Sequence, residues 1–61
     1  MKIKKLIKKL SELDQELEVW ISIDAEGNGF DKVEDILVAK INKYGEPNFE
    51  SKKPNAVVFW P

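Results

Sequence analysis

Cysteine and histidine are both missing from this chain of 61 residues. Without cysteine no disulfide can brace a small fold, and without either residue there is no Cys/His set for a structural zinc. The same gaps remove the usual activated nucleophile and its base. Ser11, Ser22 and Ser51 have no histidine to take their protons. Paired carboxylates such as Asp24 and Glu26 remain for acid–base work, but so short a chain has little room for a pocket to tune them. No catalytic residues are expected, and no enzyme.

A dominant charge is also missing. Ten lysines against eleven Asp and Glu give a formal net charge of −1. A general nucleic-acid binder shows a basic excess, so nucleic acid is a disfavoured partner. Long apolar runs are absent too. None spans a bilayer, and the lysine-rich start lacks the apolar region and cleavage site of a signal peptide. These absences together lead to the expectation of a cytoplasmic protein without a membrane partner.

What is present fits one domain, residues 1–61. A domain of this size buries only about 60% of the surface of its unfolded chain, so its stability is marginal. Such chains gain from a second subunit or a bound target.

Residues 2 to 13 carry Ile3, Leu6, Ile7, Leu10 and Leu13 at helical spacing, with Lys2, Lys4, Lys5, Lys8, Lys9 and Glu12 elsewhere. This predicts an amphipathic helix. Its lysines crowd the N-terminal half while Glu12, Asp14 and Glu16 follow its end, an order that opposes the helix dipole. The basic face is either a solvated surface or one that meets an acidic partner. The helix also has the look of a membrane-surface segment. The strands that follow need an apolar cover, however, which makes it a core helix.

Leu17 to Asp24 alternates, with Leu17, Val19, Ile21 and Ile23 on one face and Glu18, Trp20, Ser22 and Asp24 on the other. A half-buried strand is expected there. Ile36 to Ile41 reads as a second strand and Ala56 to Trp60 as a third. Between them lie a turn at residues 44–48 and a polar loop at residues 51–55. The expected fold is therefore α+β, one helix packed on a three-stranded antiparallel sheet in the order α-β-β-β. Leu6, Leu10, Val19 and Ile21 are expected to form the core. The other sheet face would show Trp20, Ile36, Val38 and an aromatic, a surface for a dimer or a target.

The stretch Asp24-Ala25-Glu26-Gly27-Asn28-Gly29 approaches the opening of an EF-hand calcium loop. Asp24, Glu26 and Asn28 would supply oxygens, with Asp35 where the closing Glu stands. A strand rather than a helix precedes it, the third position is Glu, and Asp35 is short for a bidentate closure. The alternative is a β-connection in which Gly27, Asn28 and Gly29 supply positive φ values. No cofactor is expected, and tight metal binding is not.

Several of these residues also resemble a group of small bacteriophage and prophage proteins. Members open with a Leu-Ile-x-x-Leu helix, here Leu6-Ile7-Lys8-Lys9-Leu10, and continue through Leu13-Asp14 to a Glu-Val strand, here Glu18-Val19. They reach an Asp-x-Glu-Gly-Asn loop, here Asp24 to Asn28, and stop at Leu-Trp-Pro, for which this chain has Phe59-Trp60-Pro61. Residues 40 to 54 lie outside the likeness. The resemblance implies a phage setting and no catalytic residues.

Together these features lead to a non-enzymatic protein-interaction module that binds and modulates a host protein, an enzyme or a defence component. Trp20, Asp24, Glu26, Asn28, Phe30 and Trp60 are its expected contact residues, aromatic anchors with a polar rim. A homodimer is compatible with the same surface. Two other classes stay open: a calcium- or metal-responsive loop through Asp24, Glu26, Asn28 and Asp35, and single-stranded nucleic-acid binding through Trp20, Trp60 and the lysines.

Overall fold

The apolar stripe near the start folds as α1, Ile3–Ser11, in the computed structural model, which describes residues 1–61. Its entry is weakly fixed. Lys2 at the N-cap makes no side-chain bond, and no acid stands in the first turn. Its exit is better closed. Lys8 and Lys9 lie in the last turn, where the dipole favours cations. This part of the charge order supports the helix rather than opposing it. Ser11 Oγ donates to the Lys8 carbonyl at 2.7 Å. Gln15 Nε2 donates to the carbonyls of Leu10 at 3.0 Å and Leu13 at 2.8 Å. Those bonds end the helix short of Leu13.

The alternating run after the helix yields only a short strand, β1, Trp20–Ser22. It pairs antiparallel with β2, Phe30–Lys32, in a separate two-stranded ribbon. Joining neighbours in sequence closes a shorter loop than reaching the distant strands, and short connections favour hairpins. The three-stranded antiparallel sheet is built later in the chain. It comprises β3 (Asp35–Ile41), β4 (Pro47–Asn48) and β5 (Ala56–Trp60) in the order β4-β3-β5. The fold is thus α+β, one helix with a three-stranded antiparallel sheet. It departs from α-β-β-β in having two further strands, β2 and β4, and in the pairing of β1.

β4 falls where a turn was expected. Pro47 has no N–H to donate, which confines it to an edge, and β4 is an edge strand. The connection from β3 is closed by Asn42, whose Oδ1 accepts from the backbone N–H groups of Tyr44 and Glu46 at 2.9 and 3.0 Å. Gly45 supplies the positive φ that this turn requires, +80°.

On β3 the inward side is that of Leu37, Ala39 and Ile41, while Ile36 and Val38 stay exposed opposite Phe59 and Val57 of β5. Ala39 is the one fully buried residue, 1% exposed. The expected core of Leu6, Leu10, Val19 and Ile21 is therefore corrected. Leu6 is half-buried, but Leu10, Val19 and Ile21 keep 42%, 47% and 39% of their surface exposed. A nine-residue helix cannot cover both the sheet and a detached ribbon. It lies beside β5, where Ile3 and Leu6 share clefts with Val57 and Phe59.

Candidate functional site

The ribbon presents one face built by register. Trp20 sits opposite Lys32 and Ser22 opposite Phe30, so all four side chains share a side, with Ile21 and Asp31 on the other. Trp20 and Phe30 are diagonal neighbours on that side, within reach for aromatic rings. They keep 55% and 63% of their surface exposed.

The loop beyond them is tied by one carboxylate. Asp24 Oδ1 accepts from the backbone N–H of Glu26 at 2.9 Å and of Asn28 at 3.1 Å, and its Oδ2 accepts from Asn28 Nδ2 at 2.9 Å. The same amide donates to Glu26 Oε2 at 3.3 Å, and Ser22 Oγ donates to the Asp24 carbonyl at 2.6 Å. The bonds from Asn28, side chain first and then backbone, hold the Asp24 carboxyl below its ordinary range. The Ile23 N–H to Gly29 carbonyl bond, 3.0 Å, closes the loop at its base.

The glycines divide their roles. Gly27 takes the positive φ, +73°, and Phe30 lies across it, its ring edge 3.7 Å from where a Cβ would stand. Neither Asn28 nor Gly29 has a positive φ, contrary to the expectation for this loop. Gly29 is needed for room instead, because a Cβ there would meet Ile23 Cδ1 at 2.8 Å.

At the other end of the face, Lys32 Nζ pairs with Glu18 Oε2 at 2.6 Å. That bond, its charge and the nearby Glu34 raise the Lys32 pKa above its ordinary value. The lysine beside Trp20 is therefore already engaged by a carboxylate.

The expected contact residues fall into two places. Trp20, Asp24, Glu26, Asn28 and Phe30 belong to the ribbon and its loop. Trp60 does not join them, since its ring meets Phe49 edge-on at 5.8 Å between centroids and 85° between planes. The four metal candidates are divided as well. Asp35 stands at the start of β3, where its Oδ1 accepts from the Ile36 N–H at 2.8 Å. No three acidic groups converge as a metal site. Sequence reasoning missed the partner strand Phe30–Lys32, and with it the common side of Phe30 and Trp20. The run Phe30-Asp31-Lys32 carries little strand signal, because Phe30 is its one apolar residue and the connection 23–29 is longer than a two-residue hairpin turn.

Compared with protein families, curated proteins and solved structures, the chain matches none. No helix is long and apolar enough to cross a membrane.

Proposed function

We propose that this is a non-enzymatic protein-interaction module, encoded by a bacteriophage, that binds and modulates a protein of the host cytoplasm through the β1–β2 ribbon. The observation that carries the reading is the shared face of Trp20 and Phe30 beside a loop already fixed by Asp24. Exposed aromatics with few rotatable bonds are effective interface anchors, and a preorganised neighbour lowers the ordering cost of binding. Glu26 and the Glu18–Lys32 pair form the polar rim. The phage setting rests on the motif resemblance of Leu6–Leu10, Glu18-Val19, Asp24–Asn28 and Trp60-Pro61.

The test is capture from nuclease-treated lysate of a bacterial host, using the native chain and a Trp20→Ala/Phe30→Ala variant as baits. A defined host protein should be retained by the native chain and lost by the variant, while both melt at similar temperatures. Equal capture by the folded variant sinks the assignment to the ribbon. Calcium-dependent melting or salt-dependent oligonucleotide binding would instead favour the metal or the nucleic-acid class.

A further inference from the structure

We propose that a second copy of this chain covers the apolar groove between α1 and β5, in a two-fold dimer with the two α1 helices antiparallel. The groove holds about 530 Å³ and is lined by Ile3, Ile7 and Leu10 of the helix with Val33, Ile36 and Phe59 opposite. Ile3, Ile7 and Leu10 recur at the spacing of a helix seam, and Ile7 is 61% exposed.

The missing area has the size of a subunit interface. A folded monomer of 7.0 kDa exposes about 4,000 Å² by size scaling. This chain exposes 5719 Å², an excess of about 1,700 Å² over that scaling. Standard complexes bury about 800 Å² per partner, and permanent dimers about 1,000–2,500 Å². The radius of gyration agrees, at 13.2 Å against about 10.5 Å for a packed domain of this length. A deficit of that size exists from the moment the chain folds. It calls for an occupant always made alongside it, and a second copy meets that condition.

Charge selects the same occupant. Lys4 and Lys8 flank the Ile3–Ile7 edge of α1, and Glu12, Asp14 and Glu16 follow its end. Antiparallel pairing centred on Ile7 brings the Lys2 and Lys4 end of each helix beside Glu12 of the other. Glu34 and Asp35 on the groove rim add acceptors for the same lysines. Those rim acids oppose an anionic lipid surface, which carries negative potential. Leu10 borders both this groove and the Trp20 cleft, so the two proposals are separated by variant: Trp20→Ala/Phe30→Ala reads host binding and Ile7→Asp reads the dimer.

Sedimentation equilibrium of the purified chain should give twice the mass of one chain, and its melting temperature should rise with protein concentration. Ile7→Asp should abolish both behaviours. Because loss of the partner can cost that variant its fold, two charge-altered chains complete the test. One carries Lys2→Glu and Lys4→Glu, the other Glu12→Lys. Each alone should dimerise about tenfold more weakly than the native chain, and a mixture should restore native association. A cooperative melt with single-chain mass at every concentration overturns the dimer. So does binding of the single chain to anionic vesicles through α1, or folding only when a different protein is added. Native-strength association of each charge-altered chain alone overturns the antiparallel arrangement.

Discussion

The side-chain amide of Asn55 pairs with both backbone groups of Ile41, accepting its N–H at 2.8 Å and donating to its carbonyl at 3.1 Å. Asn55 precedes β5, and Ile41 is the last residue of β3. The side chain thereby extends the β3–β5 ladder by one step after the register Ala39–Ala56. In a fold with one buried residue, such bonds carry a larger share of the order. Asn55→Ala should cost about 1–3 kcal/mol, from two bonds of about 0.5–1.5 kcal/mol each. Asn55→Asp keeps the acceptor and loses the donor, so its cost should reach at least half of that. Urea denaturation measures both. An Asn55→Ala midpoint equal to the native one would show that the pairing contributes nothing.

Gly27 and Gly29 should fail for different reasons, and the difference is measurable. Gly27→Ala forces a side chain to a φ of +73°, at a cost of about 1–2 kcal/mol that no neighbouring change relieves. Gly29→Ala instead collides with Ile23 Cδ1. Adding Ile23→Val removes that methyl, so the double variant should recover part of the loss in a denaturation curve. No recovery would place the strain in the backbone rather than in the contact.

Local pattern made much of this fold legible. The 3.6-residue stripe marked α1, and β-branched runs marked Ile36–Ile41 and Ala56–Trp60 within a residue or two of β3 and β5. Pairing was harder to read. Nothing in Leu17–Asp24 says whether it joins a sheet or closes on its neighbour, because alternation specifies a face and not a partner. β4 escaped because a two-residue strand containing Pro47 reads as a turn. The core was misjudged for a related reason. Leu10 and Val19 are apolar and well spaced, but burial depends on what lies opposite, and the ribbon had left the sheet. For the site, the Asp24 loop was visible as a polar cluster. Its bonding to Asn28 required the three-dimensional turn.

Loop order should depend on pH through Asp24. Its carboxyl lies below the ordinary value of 3.8 in the folded chain because Asn28 and the backbone bond the charged form. Its contribution is thus fully present above that ordinary value and lost as pH falls through the lowered one. Amide exchange at Glu26 and Asn28 should accelerate in that acid window, beyond the chemical trend of exposed amides. Asp24→Asn should remove the step while leaving the exchange of β3 unchanged. A step that persists in Asp24→Asn would assign the titration to another carboxylate.

The two tryptophans should separate in their effects, although sequence reasoning groups them as one contact surface. Trp60 meets Phe49 edge-on, a geometry worth about 0.5–1.5 kcal/mol beyond the area buried. It also anchors the end of β5, where its carbonyl accepts from the Glu34 N–H at 2.9 Å. Trp20 lies on the ribbon, more than half exposed, in a shallow cleft with Leu10, Leu13 and Leu17. A double-mutant cycle of Phe49→Ala and Trp60→Ala should therefore show a coupling of about 0.5–1.5 kcal/mol in stability. Trp20→Ala should change stability by less than about 1 kcal/mol, as exposed substitutions do. Capture of a host protein should follow the opposite order, falling with Trp20→Ala and holding with Trp60→Ala wherever the variant remains folded. Equal losses of capture for both, at equal stability, would return Trp60 to the contact surface and shift its role from structure to binding.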